Sequence, residues 1–262
     1  MLIRKYLKLW WIMSLNASQI AFASRSGALI FILGKILRFV FFLLFLVFLV
    51  GKTRTLGGYS LWQVVFFYAT FNIIDVVTQL FLREVYRFRS YVVSGEFDYF
   101  LTKPISPLFR SLFGGSDVLD IIILVISVVL IVVGAQHLGN ITIFGVITYI
   151  ILVINALLIA LGFHIFILAL GILTTEVDNT LWLYRDLTQT GRVPVDIYQE
   201  PLRGLLTFII PVAIMMTFPA KALMGTLAWP LIFASMIISA LFIYLSLKAW
   251  DYALTQYTSA SS

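Results

Sequence analysis

Four residue patterns in this chain carry groups capable of chemistry. Gly51-Lys52-Thr53 ends like a phosphate-binding loop, in which the lysine meets the phosphates and the threonine a magnesium ion. That loop also needs a glycine five positions earlier and a preceding strand, whereas position 46 is a leucine inside an apolar run. The tripeptide therefore reads as a turn, and the chain has no nucleotide site of its own. Glu96 and Asp98 are spaced closely enough for acid–base work, but two carboxylates in a polar segment are more often ordinary surface charge. His137 and His164 lie far apart, no serine sits in a nucleophile-elbow pattern and no ligand spacing for a metal occurs. Finally, Tyr68, Asn72, Asp75 and Gln79 recur at helical spacing within an apolar stretch.

The last pattern carries the most physical content. A carboxylate inside a bilayer costs on the order of 3 kcal/mol, so Asp75 is expected to face protein or a water-filled path. Lys35 and Arg38 fall at comparable depth in the preceding apolar stretch, which makes them the expected ion-pair partners of Asp75. Two readings of the stripe stand side by side. It is either glue between two helices, the weightier reading, or the lining of a substrate route.

The elements that must position these residues follow from composition. Of 262 residues, 61% are hydrophobic and 11% charged, against about 45–50% and about 25% in ordinary soluble domains. Several stretches approach the roughly 20 apolar residues that cross a hydrocarbon core as helix, and no alternating strand pattern competes. The expected fold is thus an all-α, polytopic membrane protein. The formal net charge of +6 is spread beside apolar spans and forms no soluble patch, which argues for membrane orientation and against nucleic acid. There are no cysteines, so disulfides and thiolate chemistry are excluded.

Along the chain, residues 1–26 predict an amphipathic surface helix, with Lys5, Lys8, Asn16 and Gln19 on one face and Tyr6, Trp10, Met13, Ala17 and Ile20 on the other. Spans one and two are expected at about Leu29 to Val50 and Leu61 to Leu82, within residues 27–82. Residues 118–190 hold spans three to five. The third covers about Val118 to Ala135 and the fourth the run from Ile141 to Leu173, which as one helix is about 50 Å long and must tilt or protrude. The fifth is short and interrupted by Glu176, Asp178, Arg185 and Asp186. Residues 191–225, with Pro211 and Pro219, suit a partly inserted hairpin. The sixth span, at about Thr226 to Lys248, lies within residues 226–262.

Six spans leave ten Lys and Arg on the side of the chain start and five on the other. The excess places both termini and residues 83–117 in the cytoplasm. Within that segment "LREVYRFRSYVVSG" continues the second span as helix, and Gly95 is a suitable stop. "EFDYFLTKP" then forms a second short helix that ends before Pro104. Tyr91, Phe97, Tyr99, Phe100 and Leu101 offer it an apolar surface for a groove in a soluble partner or for the lipid surface.

The stretch "VSGEFDYFLTKPISPLFR" resembles the cytoplasmic loop of bacterial ABC type-2 permeases, in the subgroup related to multidrug and antibiotic exporters. "GKILRFVFFLLFLVFLV" and "GYSLWQVVFFYATFNIIDVVTQLFLREVYRFRS" are similar to their first two spans, and "GRVPVDIYQEPLRGLLTFIIPVAIMMTFPAKALMG" to the segment before the last. The resemblance covers nearly the whole chain, in order and spacing more than in any single motif. It implies a permease of about six spans in the bacterial inner membrane, paired with itself or a sister permease. Each copy would sit on a separate ATPase subunit that holds ATP and Mg, while this chain binds no cofactor. By the resemblance, the helix between spans two and three is the coupling element. Gly95, Glu96, Asp98, Leu101, Lys103 and Pro104 would lie in or beside it, with Arg87 and Arg89 just before. Residues 191–221 would form an extracellular-side helical hairpin. The rival readings are a secondary carrier or channel, for which no internal repeat is visible, and a membrane scaffold without an ATPase.

Overall fold

In the computed structural model, which describes residues 2–139, 141–174 and 177–258, every extended element is a helix. Helix α1 spans Leu2–Phe22 and α2 Arg25–Thr53. The Ser24 hydroxyl starts α2 by accepting a hydrogen bond of 3.2 Å from the Gly27 amide. Helix α3, Leu61–Leu82, is fixed at its start by Gln63, whose side chain accepts from the Ser60 amide at 2.8 Å. A 3-10 stretch, Arg83–Arg87, leads into α4, Phe88–Val93. Gly95 adopts a left-handed φ of 76° between α4 and the next helix, α5, Glu96–Thr102. Only glycine takes that conformation at little cost, so the expected stop and restart fall where the sequence put them. Helix α6, Pro107–Leu112, has proline in its first turn and is capped by Ser106.

Four longer helices complete the bundle: α7, Ile121–His137; α8, Ile143–Thr174; α9, Val177–Gln189; and α12, Trp229–Gln256. Between α9 and α12 lie two short helices, α10 at Leu202–Gly204 and α11 at Phe218–Leu223, each joined to a π-helical turn. The two arms, 202–209 and 213–223, meet at 79° around Pro211. Among the described residues, five helical stretches are long and apolar enough to cross a membrane, or six if the bent pair is one crossing.

Contacts sort these elements into two ends. Asp196, just past α9, accepts from Tyr59 at 2.7 Å and from Lys221 at 3.1 Å, and Arg203 pairs with Glu200. Both arms of the bent pair therefore start from the Tyr59 end and dip inward, as a hairpin that enters and leaves on one side. At the opposite end Arg89 lies 3.8 Å from Asp178, the second residue of α9. Residues 177–196 thus run from one end of the bundle to the other, but α9 supplies only 13 residues of that path. At 1.5 Å per residue it covers about 20 Å, too little for a full helical crossing. The expected fifth span is therefore a short amphipathic helix completed by 3-10 turns. Glu176 lies outside the described residues.

The core divides along the same axis. One cluster, including Phe39, Leu46, Tyr68, Leu152, Ile159 and Met215, fills the bundle between α2, α3, α8 and the hairpin. A second, including Phe88, Phe97, Phe100, Leu168, Leu181 and Trp250, joins α4 and α5 to the last turns of α8 and to α12. That second cluster shows why α8 is 32 residues long. Its final turns, with Ile165, Leu168 and Ile172, form the post against which α4 and α5 are packed.

Candidate functional site

Two regions bring the singled-out residues together, a charged cavity inside the bundle and the cap formed by α4 to α6. In the cavity α3 supplies Tyr68, Asn72, Asp75 and Gln79 on one face, as their spacing predicts. The polar groups on this face are partly spent within the protein. The Asn72 amide donates to the Tyr68 carbonyl at 2.7 Å, the Tyr68 hydroxyl donates to the Phe39 carbonyl at 3.2 Å, and the Gln79 amide donates to the Tyr86 hydroxyl at 3.2 Å. From α2 come Lys35 and Arg38, and from α9 and its following turn Arg185 and Arg192.

Lys35 does not pair with Asp75. Its ammonium lies 2.8 Å from Asp117 and 2.5 Å from Asp120, and Arg83 lies 2.9 Å from Asp117. Those two acids sit at the start of the third span, beside the third turn of α2 that carries Lys35, so they intercept Lys35 before it can reach α3. Depth alone gave Asp75 as a partner. "SDVLD" at residues 116–120 is the signal that points to the real ones, two acids immediately ahead of an apolar run.

The exchange leaves a charge imbalance around Asp75. Arg38, Arg185 and Arg192 all interact electrostatically with it, yet among the described residues none of the three has a carboxylate within 4 Å. Aromatic rings hold two of them. The Arg185 guanidinium lies 5.6 Å from the Trp182 ring and 5.8 Å from that of Tyr86, and Arg192 lies 5.1 Å from Phe42 and 5.7 Å from Phe71. Each such contact contributes about 0.5–2 kcal/mol. Desolvating a cation costs several kcal/mol, so the rings orient the arginines without neutralising them. The resulting cavity holds about 540 Å³, within the roughly 300–1,000 Å³ typical of small-molecule sites.

The cap is organised by a residue that the sequence did not single out. Glu84, with 1% of its side chain exposed, accepts from Arg110 at 2.7 Å, from the Tyr91 hydroxyl at 2.7 Å and from Arg87 at 3.4 Å. Gly114 and Gly115 close over this carboxylate, because a Cβ on Gly114 would come within 1.9 Å of Arg110 Nη1. Of the predicted residues, Arg87 therefore serves Glu84, and Arg89 reaches α9 at Asp178.

Helix α5 is two-sided. Phe97 and Phe100 were expected on its presented apolar surface, but both point inward. Phe97 meets Phe88 edge-on at 5.2 Å and Trp250 at 6.3 Å. Asp98 accepts from the Tyr257 hydroxyl at 2.9 Å, and burial together with that carboxylate pushes the phenol up to about 12. The outward face carries Glu96, Tyr99, Leu101 and Lys103, with Tyr99 66% exposed. Pro104 turns the chain, and its carbonyl accepts from Lys5 at 2.8 Å.

Helix α1 lies against this cap. Trp10 stacks on Phe81 at 5.2 Å, Tyr6 packs on Phe109 and Ser14 bonds to Ser116 at 2.7 Å. The face of Tyr6, Trp10 and Met13 thus meets protein, while Ile3, Leu7, Trp11 and Leu15 form a separate exposed apolar stripe. A helix with two apolar faces, one docked and one free, fits the plane of a membrane interface.

Sequence comparison adds one finding to this geometry. A family model described as ABC-2 family transporter protein matches residues 35–261. No curated protein and no solved structure shows significant similarity to the chain.

Proposed function

The chain belongs to the ABC-2 transporter family, multi-pass membrane permeases that lack an ATPase domain and generally pair with ABC ATPases, and on that premise we propose that it is the membrane subunit of an ATP-driven exporter of the bacterial inner membrane. The subunit docks a separate ATPase through the outward face of α5 and pairs with a second permease copy, identical or sister. Its cavity beside α3 forms part of the substrate path. Both termini face the cytoplasm, in keeping with the excess of Lys and Arg on the side of α4 to α6.

The observation that carries this reading is the two-sidedness of α5. Its inner face is locked into the bundle by Phe97 and Phe100, so a push on the helix reaches α8 and α12 and is not absorbed by a loose loop. Its outer face presents Tyr99 and Leu101 between Glu96 and Lys103, an aromatic and aliphatic anchor with a charged rim, the pattern of a small docking helix. When the ATPase subunits close on ATP, the two α5 helices follow them and bias the permease pair toward its outward-open state.

The test is co-purification. The tagged chain is extracted gently from its own membranes and its partners are identified by mass spectrometry, alongside a Glu96→Lys, Tyr99→Asp variant. The expected result is an ATPase with a phosphate-loop motif that accompanies the wild type and is lost from the variant, with both chains equally well inserted. Retention of the ATPase by the variant would sink the α5 assignment. Absence of any ATPase, even after mild cross-linking, would sink the exporter reading itself.

A further inference from the structure

We infer that the cavity beside α3 binds an oxyanion, a phosphate, sulfate or carboxylate group, carried on an apolar body. The inference rests on the reading of this cavity as substrate path and specifies the class of substrate. It starts from a charge count in which Lys35 and Arg83 are matched by Asp117 and Asp120 through direct contacts. Those four groups balance. What remains around the cavity, among the described residues, is three guanidinium groups, on Arg38, Arg185 and Arg192, against the single carboxylate of Asp75.

Two positive charges in excess, at the depth of the second helical span, call for compensation from something outside the chain. Water supplies part of it, but guanidinium groups are the side chains whose planar donor fork best matches an oxyanion. Three features favour an anion as the partner. The arginines come from two separate elements, α2 and the α9 region, and converge on one volume. Arg185 and Arg192 are seated on aromatic rings, which fixes their direction before any ligand arrives. Beside the charged groups and the polar face of α3 the wall has an apolar part, with Ile30, Phe31, Phe39 and Trp182. A small hydrated ion has no use for that surface, whereas an amphiphile places its apolar portion there and its charged group among the arginines. Asp75 then sets the selectivity. Its charge is felt by all three guanidinium groups without direct contact, and it repels an anion carrying more charge than they can offset.

Binding of dodecyl phosphate, radiolabelled, to the full chain in discs of phosphatidylcholine tests this directly, with no ATPase and no ATP present. Saturable binding is expected, with dodecyltrimethylammonium bound no better than the background of empty discs. Arg38→Gln, Arg185→Gln and Arg192→Gln should each weaken dodecyl phosphate by about tenfold, and the corresponding Lys variants, which keep the charge but lose the planar fork, should fall between wild type and Gln. Asp75→Asn, which removes the one opposing charge, should tighten binding by several fold. That variant decides the matter if a Gln variant fails to fold. Competition by inorganic phosphate would assign the site to a free oxyanion, and lack of competition to an anionic amphiphile. Equal binding of the cationic and anionic amphiphiles, no saturable binding of dodecyl phosphate, or binding that none of the variants changes, would overturn the inference. Because no ATPase takes part, such a failure would leave the ATP-driven permease reading standing, and loss of that reading would leave a measured anion site in place.

Discussion

Arg110 reaches across 26 residues of sequence to place its guanidinium 2.7 Å from the carboxylate of Glu84, which is almost wholly buried. The pair ties the end of α3 to α6 and so sets the position of everything between, including α5. Removing Arg110 as Met leaves Glu84 with only the more distant Arg87 and the Tyr91 hydroxyl, at an expected cost of about 3 kcal/mol. The double variant Glu84→Gln, Arg110→Met should recover much of that loss. Thermal unfolding of the purified protein in mild detergent reads both, and a double variant as unstable as the single would exclude a direct coupling.

Gly114 is a steric corollary of the same pair. Alanine there places a methyl group on the Arg110 guanidinium and within 2.4 Å of the Glu84 carboxyl carbon. We expect Gly114→Ala to lower stability by about 1–3 kcal/mol, while the same change at Gly58, which faces open space at a φ of 86°, costs only its backbone strain. In the background of Arg110→Met the cost at Gly114 should shrink, which a double-mutant cycle measures.

The two faces of α5 should separate folding from the docking proposed above. Phe97→Ala empties a fully buried site and should destabilise the protein by about 3–5 kcal/mol. Tyr99→Ala and Leu101→Ala, on the exposed face, should change stability by less than about 0.5 kcal/mol. Unfolding curves check that contrast, and co-purification of an ATPase should show the reverse order of effects at Tyr99 and Phe97 once folded protein is compared.

Tyr257 supplies a pH dependence with a defined sign. Its phenol ionises near 10 when unfolded and is pushed up to about 12 by burial and by Asp98 in the folded protein. The folded state therefore holds a proton that the unfolded state has lost between those values, and stability declines as pH rises through that window. Below pH 10 this contribution is complete. The wild type should lose stability relative to Tyr257→Phe between pH 10 and 12, measured as the difference between their melting temperatures, and a difference that stays flat would refute the Asp98 contact.

Lys35 bridges two acids, so its loss should be felt at both. Lys35→Ala strands Asp120, while Arg83 still serves Asp117. We expect a cost of about 3 kcal/mol, partly recovered by Asp120→Asn and unaffected by Asp75→Asn. Rescue by the change at Asp75 instead would restore the pairing that depth along the helices had implied.

The sequence made some of this legible and hid the rest for a physical reason. Spans, their order, the helix stop at Gly95 and the polar face of α3 all depend on periodicity or on one residue's backbone preference, and such local signals survive without the fold. The partners of Lys35 and Glu84 lie 82 and 26 residues away, and their identity depends on which helix ends are adjacent. Depth in the bilayer narrowed the field for Asp75 but could not show that Asp117 and Asp120 stand nearer to Lys35. Phe97 and Phe100 were placed on the wrong side of α5 because a seven-residue helix carries too few turns for its pattern to show which apolar face is covered. The short fifth crossing was uncertain for a different reason. Its apolar periodicity is that of an amphipathic helix, and the remaining rise is made by 3-10 turns that leave no periodic trace.

The contact of Phe97 with Trp250 also orders events during biosynthesis. Trp250 follows Phe97 by 153 residues, which at ribosomal rates separates their appearance by roughly 10 to 30 s. Throughout that interval the inner face of α5 has its earlier partners, Phe88 and Tyr91, but no cover from Trp250. Only when the last helix is in place is the aromatic cluster of Phe88, Phe97 and Trp250 complete. Completion of the cap is thereby tied to completion of the chain, so that a permease truncated before α12 would leave Phe97 without the cover of Trp250.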